Sequence, residues 1–352
     1  MATEPSGSAA SPEVLGDPAA ADAGSSGAGP RGHWWHIGGI FGFIVRRTLL
    51  GVLVLFLVSL IVFAATQALG DPARAILGRT ATPASLAALH KQLHLDQPVF
   101  QQYWNWITGL LHGDAGTSLS AQIPVTDYLK DRVVNSAFLV LLAGGISIPI
   151  SIIIGSYAAL HRDRPFDVIT SIITLAFAAL PEFVVGLLLV VFFSTNVEHW
   201  LPAIATPGKR PWQDLEGMIL PTAVLVIAVT PYVVRIMRAS MIEVLESDYV
   251  EMARLKGLPE RQVLVRHALP NALGPTFQVI AINLAYLAGG VIVVEYLFNY
   301  AGIGGAIRDS VFNNDLPLVQ ALAMLIATLY VVLNLLADIA TILVTPRLRT
   351  RL

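Results

Sequence analysis

The sequence contains no cysteine and little charge. Without cysteine the chain cannot form disulfide bonds, thiolate metal sites or cysteine nucleophiles. Only 13% of its 352 residues are charged, whereas 55% are hydrophobic and the mean hydropathy is +0.67. A soluble domain with an ordinary charged surface does not have this composition, so the chain is predicted to lie largely within a membrane. Its net charge of −2 gives no indication of a nucleic-acid partner, and none is expected.

Motifs of common hydrolases are also missing. No G-x-x-x-x-G-K-[ST] phosphate loop occurs, and Gly302-Ile303-Gly304-Gly305, whose glycines have the wrong spacing for one, is predicted to be a flexible turn. An intramembrane hydrolase would need a nucleophile and a base inside the bilayer, yet no G-x-S-x-G turn occurs and every histidine falls outside the apolar segments. The histidines are His33, His36, His90, His94, His112, His161, His199 and His267. The chain is therefore not expected to be an enzyme.

Six segments are long and apolar enough to cross a bilayer of roughly 30 Å, which takes about 20 residues of helix. The spans are predicted at Phe43–Leu69, Asn135–Leu160, Phe166–Phe193, Met218–Val234, Pro275–Phe298 and Leu316–Val344. This pattern predicts an all-α, polytopic membrane protein with six transmembrane helices. An even number of spans places both termini on the same side of the membrane.

Arginine and lysine residues identify that side. They are concentrated before the first span, in the second-to-third and fourth-to-fifth loops, and after the sixth span. These residues are Arg46, Arg47, Arg162, Arg164, Arg235, Arg238, Arg254, Lys256, Arg261, Arg266, Arg347, Arg349 and Arg351. The short loops on the other side hold only Lys209, Arg210 and Arg308. The positive-inside rule therefore predicts that both termini and the fourth-to-fifth loop are cytoplasmic.

The chain is predicted to divide into four parts. Residues 1–33, rich in Ala, Gly, Ser and Pro, form a disordered tail, and residues 34–69 form an interfacial segment and the first span. Residues 70–134 form an extracytoplasmic insertion of helices, which begin at Thr82-Pro83 and at Pro98. Residues 135–352 form the core transmembrane domain.

Two histidines of the insertion, His90 and His94, have the i, i+4 spacing that helical zinc sites use. However, Lys91 stands where a zinc protease of the H-E-x-x-H type needs its glutamate. An exposed helix is favoured over a metal site, and no metal is expected.

The fourth-to-fifth loop contains the most informative segment, Asp248–Leu273, which reads DYVEMARLKGLPERQVLVRHALPNAL. Its first part is predicted to be a short amphipathic helix with Arg254 and Lys256 in its last turn, where cations suit the helix dipole. Gly257 is predicted to end that helix in the left-handed conformation. A second amphipathic piece then leads into Leu269-Pro270.

The spacing of this segment resembles the cytoplasmic EAA loop of ABC-importer permeases, by which the membrane subunit engages its ATPase. The resemblance rests on Glu251-Met252-Ala253, then Gly257, then His267-Ala268-Leu269-Pro270. Met252 replaces the first alanine of the triplet, and His267 replaces a usual isoleucine. The resemblance implies an ATPase-coupling role for Tyr249, Glu251, Met252, Ala253, Arg254, Lys256, Gly257, His267, Leu269 and Pro270.

Other segments resemble the B-type permease of dipeptide and oligopeptide ABC importers, and the likeness covers nearly everything from about Phe43 onward. These segments are Gly70-Asp71-Pro72, Leu93–Pro98, Gly113–Leu119 with Pro124-Val125 and Leu129 to Arg132, Tyr300–Gly304 and Pro346–Arg349. Thr345 occupies a position that the family often fills with aspartate. The N-terminal tail falls outside the likeness.

The resemblance implies a multi-pass subunit of a bacterial cell membrane that does no chemistry itself and binds no cofactor. ATP and Mg would be bound by partner subunits. The implied partners are a second homologous permease, two ABC ATPase subunits, an extracytoplasmic substrate-binding protein, the peptide substrate and membrane lipid. Relatives carry nickel, glutathione or haem-like cargo, so those solutes remain alternatives to peptides.

Polar side chains within the spans indicate where a translocation path would run, because an ionisable group in hydrocarbon is costly unless it faces protein or water. Glu182, after Pro181, is the first candidate, and Asn283 and Glu295 are weaker ones. For Asn283, Glu295, Asn334 and Asp338, bridging between helices is favoured over a path role, and Asp338 could pair with a nearby arginine. Pro231 and Gly289-Gly290 could supply a kink and close helix contact.

An ATP-independent transporter or channel is the remaining alternative class. Such a protein would more often have an inverted repeat, paired broken helices or rings of polar pore residues. None of these is predicted from the sequence.

Overall fold

The computed structural model describes residues 39–68, 73, 82–92, 96–195, 200–206 and 208–344. Within these ranges the regular structure is helical and no strand forms, although Thr117 and Pro124 make an isolated antiparallel bridge. The all-α fold class is confirmed. Several predictions fall outside the described residues: the tail 1–33, the aromatic segment 34–36, Gly70-Asp71-Pro72, His94, His199 and the segment 345–352.

The described residues form eleven main helices. They are α1 Gly39–Ala68, α2 Pro83–Gln92, α3 Val99–Leu111, α4 Val125–Leu160, α5 Pro165–Ala179, α6 Glu182–Val190, α7 Leu215–Leu245, α8 Asp248–Leu255, α9 Leu269–Leu297, α10 Ile303–Phe312 and α11 Leu316–Val344. Short segments extend some of them: a π-helix Val191–Thr195 follows α6, and a turn Glu260–Gln262 with a π-helix Val263–Ala268 leads into α9.

Four helices of the described chain are individually long and apolar enough to cross a membrane. They contain Phe41–Ala68 of α1, all of α4, all of α7 and Leu316–Ala340 of α11. Two bent pairs pass the same test together, Pro165–Ala179 with Glu182–Thr195 and Glu260–Leu284 with Gly289–Leu297. Counting each bent pair as one span gives the six that the sequence predicts. The helices of the second and fourth spans, α4 and α7, are longer than predicted and begin at Val125 and Leu215.

The third span is broken, so the prediction of one helix over Phe166–Phe193 is wrong. Its halves α5 and α6 meet at 102°, and Leu180 between them is extended, with φ −90° and ψ 131°. Pro181 explains this, because a proline disfavours the α conformation in the residue before it and supplies no N–H. The fifth span bends by 52° before Gly289. Helix α9 stays continuous through this bend, so among the described spans only the third is broken.

The segment Gly302–Gly305 is ordered rather than flexible, which corrects a second prediction. Ser136 donates to the buried Glu295 carboxylate, and Gly304 N donates to Glu295 Oε2 at 2.6 Å. A Cβ on Gly302 would overlap that carboxylate, and one on Gly304 would lie 2.8 Å from Ile292 Cα. Helix α10 therefore begins at Ile303 because the glycines permit close approach to α9. This contact joins residues from different elements, so the spacing of the glycines in the sequence does not reveal it.

Small residues allow the central spans to approach closely. A Cβ on Gly155 of α4 would lie 2.8 Å from Met237 Cβ of α7, and one on Gly144 would lie 3.0 Å from Leu284 of α9. Around these contacts α4, α7 and α9 enclose the main apolar core, which includes Leu139, Leu225, Leu287 and Phe298. Because lipid is as apolar as leucine, such close packing rather than water exclusion holds membrane helices together.

Helix α1 packs against α11 at one edge of the bundle and leaves most of its apolar surface exposed. Arg47 Nε lies 3.0 Å from Asp338 Oδ2, which confirms that Asp338 pairs with an arginine. Gln320 donates to Thr66 Oγ1 at 2.7 Å. The two helices are therefore joined by polar contacts at both ends.

In the insertion between the first two spans, α2 and α3 begin where Pro83 and Pro98 predict. Helix α3 lies against α1, since the Tyr103 hydroxyl is 2.8 Å from Ser59 Oγ and the rings of Tyr103 and Trp106 contact Phe63. The segment after α3 is fixed to α11 by Asp315. This fully buried carboxylate accepts bonds from Ser118 Oγ at 2.5 Å and from Ser120 N at 3.0 Å.

We expect the segment after α3 to loosen when Asp315 loses its charge. Burial raises the pKa of Asp315, but hydrogen bonds from Ser118 and Ser120 outweigh it and hold the pKa below its usual range. A lowered folded-state pKa stabilises the protein above the unfolded value of about 4 and does so progressively less as pH falls below it. Asp315→Asn should cost about 1–3 kcal/mol at neutral pH. Thermal unfolding in detergent checks this, and a Ser118–Ser120 segment as resistant to protease as in the wild type would contradict it.

Candidate functional site

Helix α8, in the loop between the fourth and fifth spans, ends in a Schellman motif. Gly257 has φ +77°, its N–H donates to Arg254 O at 2.9 Å, and Leu258 N donates to Ala253 O at 3.4 Å. These are the two bonds of that motif, and they confirm the predicted left-handed end. A Cβ on Gly257 would meet nothing within 4 Å. Glycine is therefore required by the backbone angle and not by space.

One face of α8 packs against the rest of the chain. Val250 and Ala253 are buried with Val263 in an apolar cluster that also contains Leu245 and Leu258. Leu245 is the last residue of α7, so this cluster joins α8 directly to the end of the fourth span. Ala253, one of the predicted coupling residues, thus faces its own chain.

The opposite face of α8 is exposed and carries large apolar side chains. Tyr249, Met252 and Leu255 are 41%, 52% and 74% exposed. Glu251, Arg254 and Lys256 are exposed beside them. Apolar side chains in a polar setting mark a surface for protein contact. We call this surface, formed by Tyr249, Glu251, Met252, Arg254, Leu255 and Lys256, the docking face.

An ion pair between Arg254 and Glu260 spans the turn that follows α8. The Arg254 guanidinium reaches across Gly257 to Glu260, with Nη2 at 2.8 Å from Oε1 and Nε at 3.2 Å from Oε2. Both side chains are exposed, so the pair adds little stability but restricts the direction in which the chain leaves the turn.

The remaining predicted coupling residues lie where the loop joins α9. Pro270 has no N–H to donate, and immediately before it the helix widens to a π-helix over Val263–Ala268. His267 and Leu269 are partly buried and Pro270 is exposed. Ala268 packs with Met237 and Met241 of α7. The structure thus brings both ends of the loop onto the end of α7.

Glu182 lies at the break of the third span, as the first residue of α6. Its Oε2 accepts a bond of 3.3 Å from the Tyr286 hydroxyl, and a Cβ on Gly290 would lie 2.9 Å from the same atom. Glu182 is half-buried and Tyr286 is exposed. The break of the third span and the bend of the fifth therefore meet at this carboxylate.

The weaker path candidates face the interior of the chain. Glu295 is fully buried and is held by Ser136 and Gly304. Asn283 is buried and donates to Val279 O of its own helix at 2.9 Å. Asn334 donates to Tyr330 O at 2.8 Å. The Glu295 contacts bridge α9 to α4 and α10, as predicted, whereas the bonds of Asn283 and Asn334 stay within their own helices.

Some contacts of interest were not foreseen from the sequence. Asp167 at the start of α5 is paired with Arg238 of α7, and Tyr286 is the partner of Glu182. Asp167 has a usable sequence signal, because an acid in a predicted span requires a partner. Among the described residues no group of three or more His, Asp or Glu side chains could hold a metal ion.

The spans, their exposed apolar surfaces and the polar loop with its docking face define a multi-pass membrane subunit. Residues 151–350 match the family described as binding-protein-dependent transport system inner membrane component. Residues 40–138 match the N-terminal region described for the same transport systems. The chain belongs to this family, and it is a membrane permease subunit of an ABC importer.

Curated relatives match over almost their whole length. A probable peptide ABC transporter permease protein, y4tP of Sinorhizobium fredii, is 35% identical over 312 residues, which are 87% of this chain and 99% of the relative. The glutathione transport system permease protein GsiC of Escherichia coli strain K12 is 34% identical over 308 residues, which are 87% and 98%. A crystal structure of an amino acid ABC transporter with histidines shares 16% identity, with a TM-score of 0.48, over 61% of this chain and 94% of that one.

Proposed function

We propose that this permease forms, together with a second homologous permease, the path by which peptides cross a bacterial cell membrane. Two ABC ATPase subunits bind ATP and Mg, and this chain hydrolyses nothing and holds no cofactor. An extracytoplasmic binding protein delivers the peptide. The observation that supports this assignment best is the docking face, because it is exposed, carries apolar side chains and is joined to the ends of two spans.

Peptides are the preferred cargo because of the relatives. One is a probable peptide permease and the other transports glutathione, which is itself a small peptide. The alternative that this chain carries glutathione in particular has the second relative in its favour. Competition of unlabelled glutathione and of unrelated dipeptides against a labelled dipeptide separates the two cargoes.

Transport follows from movement of the docking face. Closure of the two ATPases upon ATP binding displaces α8, and the buried cluster of Val250, Ala253 and Val263 transmits that displacement to α7. The spans then move as packed bodies, and access to the path switches from the outer to the inner side. ATP acts by favouring one of the two arrangements.

The Glu182 carboxylate supplies a site for the cationic amino end of a peptide. It lies where the break of the third span meets the bend of the fifth, is half-buried, and has Tyr286 beside it as a hydrogen-bond donor. In a partly desolvated setting a carboxylate attracts an ammonium group more strongly than it does in water.

A direct test of the assignment is ATP-dependent uptake. The permease is expressed with its ATPase and binding-protein genes and reconstituted into vesicles, and a labelled dipeptide is supplied with its binding protein. We expect the ATPase to copurify and uptake to stop when the ATPase lysine that contacts the phosphates is replaced. Continued uptake without ATP hydrolysis would favour the ATP-independent transporter.

The proposed orientation places both termini and α8 in the cytoplasm and α2 outside. Because the chain has no native cysteine, single cysteines are specific probes. We expect an impermeant maleimide to label Ser85→Cys in α2 in intact cells and to label Ser247→Cys, at the start of α8, only after the cells are opened. The reverse pattern of labelling would overturn this orientation.

A further inference from the structure

Helix α5, the first half of the broken third span, lies along α7, and its Phe166 ring packs edge-on against the Tyr157 ring of α4 with 4.7 Å between the centroids. Of its residues, all of which the structure describes, only Asp167 and Thr174 are buried. Its large apolar side chains point outward, namely Val168, Ile169, Ile172, Ile173 and Leu175. The buried acid at its start therefore adds a charged anchor to this packing.

Asp167 is held by Arg238 of α7. Asp167 is 2% exposed, and its carboxylate accepts two hydrogen bonds from the guanidinium. Arg238 Nε donates to Oδ1, and Nη2 donates to Oδ2 at 2.6 Å. Asp163 N also donates to Oδ2, at 3.0 Å. A bidentate arginine–carboxylate pair fixes orientation as well as distance. Nearby, Arg162 Nη1 lies 2.6 Å from Glu246 Oε1, but both of those side chains are exposed and the pair is weak.

Arg238 belongs to the same packed body as the loop that carries the docking face. Its neighbours in sequence, Met237 and Met241, pack against Ala268 and Ala272 where the loop joins α9. The end of α7 packs against α8 through Leu245. A displacement of the loop therefore carries Arg238 with it.

The other end of α5 is not continuous with α6. The chain is extended at Leu180 and Pro181 follows without an N–H, so no continuous helix couples α5 to α6. Helix α6 is separately fixed to the core, because Gly186 is in close contact with Leu297 and lies near Val224. Helix α5 thus lies along α7, is separated from α6 by the extended Leu180 beside Glu182, and is tied to α7 at its far end by Asp167.

We propose that the Asp167–Arg238 pair is a positioning link that makes α5 follow the docking loop and so changes the surroundings of Glu182 during transport. Asp167 contacts neither ATPase nor peptide and acts through Arg238. The proposal rests on the proposed function, since it needs a docking loop that moves with the ATPases.

The test uses the full reconstituted complex and measures ATP hydrolysis and peptide uptake in the same vesicles. Asp167→Asn should leave ATP hydrolysis within about twofold of wild type but lower the peptide transported per ATP by about tenfold or more, because the bidentate charged pair is lost. Glu246→Gln, which breaks the exposed pair beside it, is the matched control and should keep transport per ATP within about twofold.

A cross-link tests the link itself. In the double variant Asp167→Cys with Arg238→Cys, the only two cysteines of the permease lie across the contact, and a short bismaleimide can join α5 to α7. We expect the variant to be uncoupled before cross-linking and to recover most of its transport per ATP afterwards. If Asp167→Asn fails to assemble, the transport per ATP of the double variant before and after cross-linking still tests the link between α5 and α7.

Two results would overturn the link. One is wild-type transport per ATP in Asp167→Asn, and the other is a cross-linked double variant that stays as uncoupled as before. The failure of the proposed function looks different, because wild-type vesicles would then show no ATP-dependent uptake at all.

Discussion

Replacing Gly257 by valine uncouples the permease from its ATPases, while the permease still inserts in the membrane. Gly257 has φ +77° and ends α8, and a β-branched residue in that conformation costs about 1–2 kcal/mol. That cost corresponds to roughly a 5–30-fold fall in the population of the correctly closed turn. Because nothing lies within 4 Å of the added Cβ, the effect is confined to the backbone. Uptake and stimulated ATP hydrolysis measured in vesicles should both decline.

The chain offers a matched control for this substitution. Gly208, in the loop before α7, has φ +79° and also has nothing within 4 Å of an added Cβ. Gly208→Val therefore introduces the same backbone strain away from the docking face, and coupling should persist. Normal uptake and normal ATPase stimulation in Gly257→Val would show that the Asp248–Leu273 segment does not couple the subunits.

Replacing Glu182 by glutamine alters peptide selectivity without preventing assembly. The amide keeps the shape of the side chain and can still accept the bond from Tyr286, but it has no charge to offer an ammonium group. A charge-assisted bond contributes about 1.5–3 kcal/mol, so the preference for peptides with a free amino end should fall by about tenfold or more. Uptake kinetics for cationic, neutral and acidic peptides, with free and acetylated amino ends, measure this directly.

Glu295→Gln provides the comparison that separates a path role from a structural one. Glu295 accepts bonds from Ser136 and Gly304 on its two oxygens, and an amide can offer only one acceptor oxygen. We expect this variant to lower the yield of folded permease, because a buried donor left unpaired costs about 1–3 kcal/mol. Unchanged kinetics for every peptide class in Glu182→Gln would remove Glu182 from the path, and loss of assembled complex would assign it a bracing role.

Features that depend on local sequence were predictable. The end of α8 at Gly257 and the starts of α2 and α3 after Thr82 and Pro98 follow from residue preferences within one turn. The six apolar segments follow from the hydropathy along the sequence alone. Glu182 was a good candidate because an acid deep in an apolar segment needs a reason to be there.

Features that depend on contacts between distant elements were not predictable. Asp167 and Arg238 are separated by 71 residues, so the acid in the predicted span indicates that a partner is needed but not which arginine supplies it. The ordered start of α10 depends on Glu295 and on Ser136, which lies three spans before Glu295. At Pro181 the proline rule permits a break, but the apolar run continues through it, so hydropathy alone cannot reveal a turn of 102°.

The buried Glu295 also has a consequence for biosynthesis. Ser136 is translated long before Glu295, whereas Gly304 N, its other donor, follows Glu295 by nine residues and is not yet synthesised when Glu295 leaves the peptidyl-transfer centre. Until Gly304 emerges, the carboxylate at the end of the fifth span is only half satisfied. A chain that ends after Leu297 would therefore carry a buried acid with only one of its two donors, which weakens the contact between the second and fifth spans.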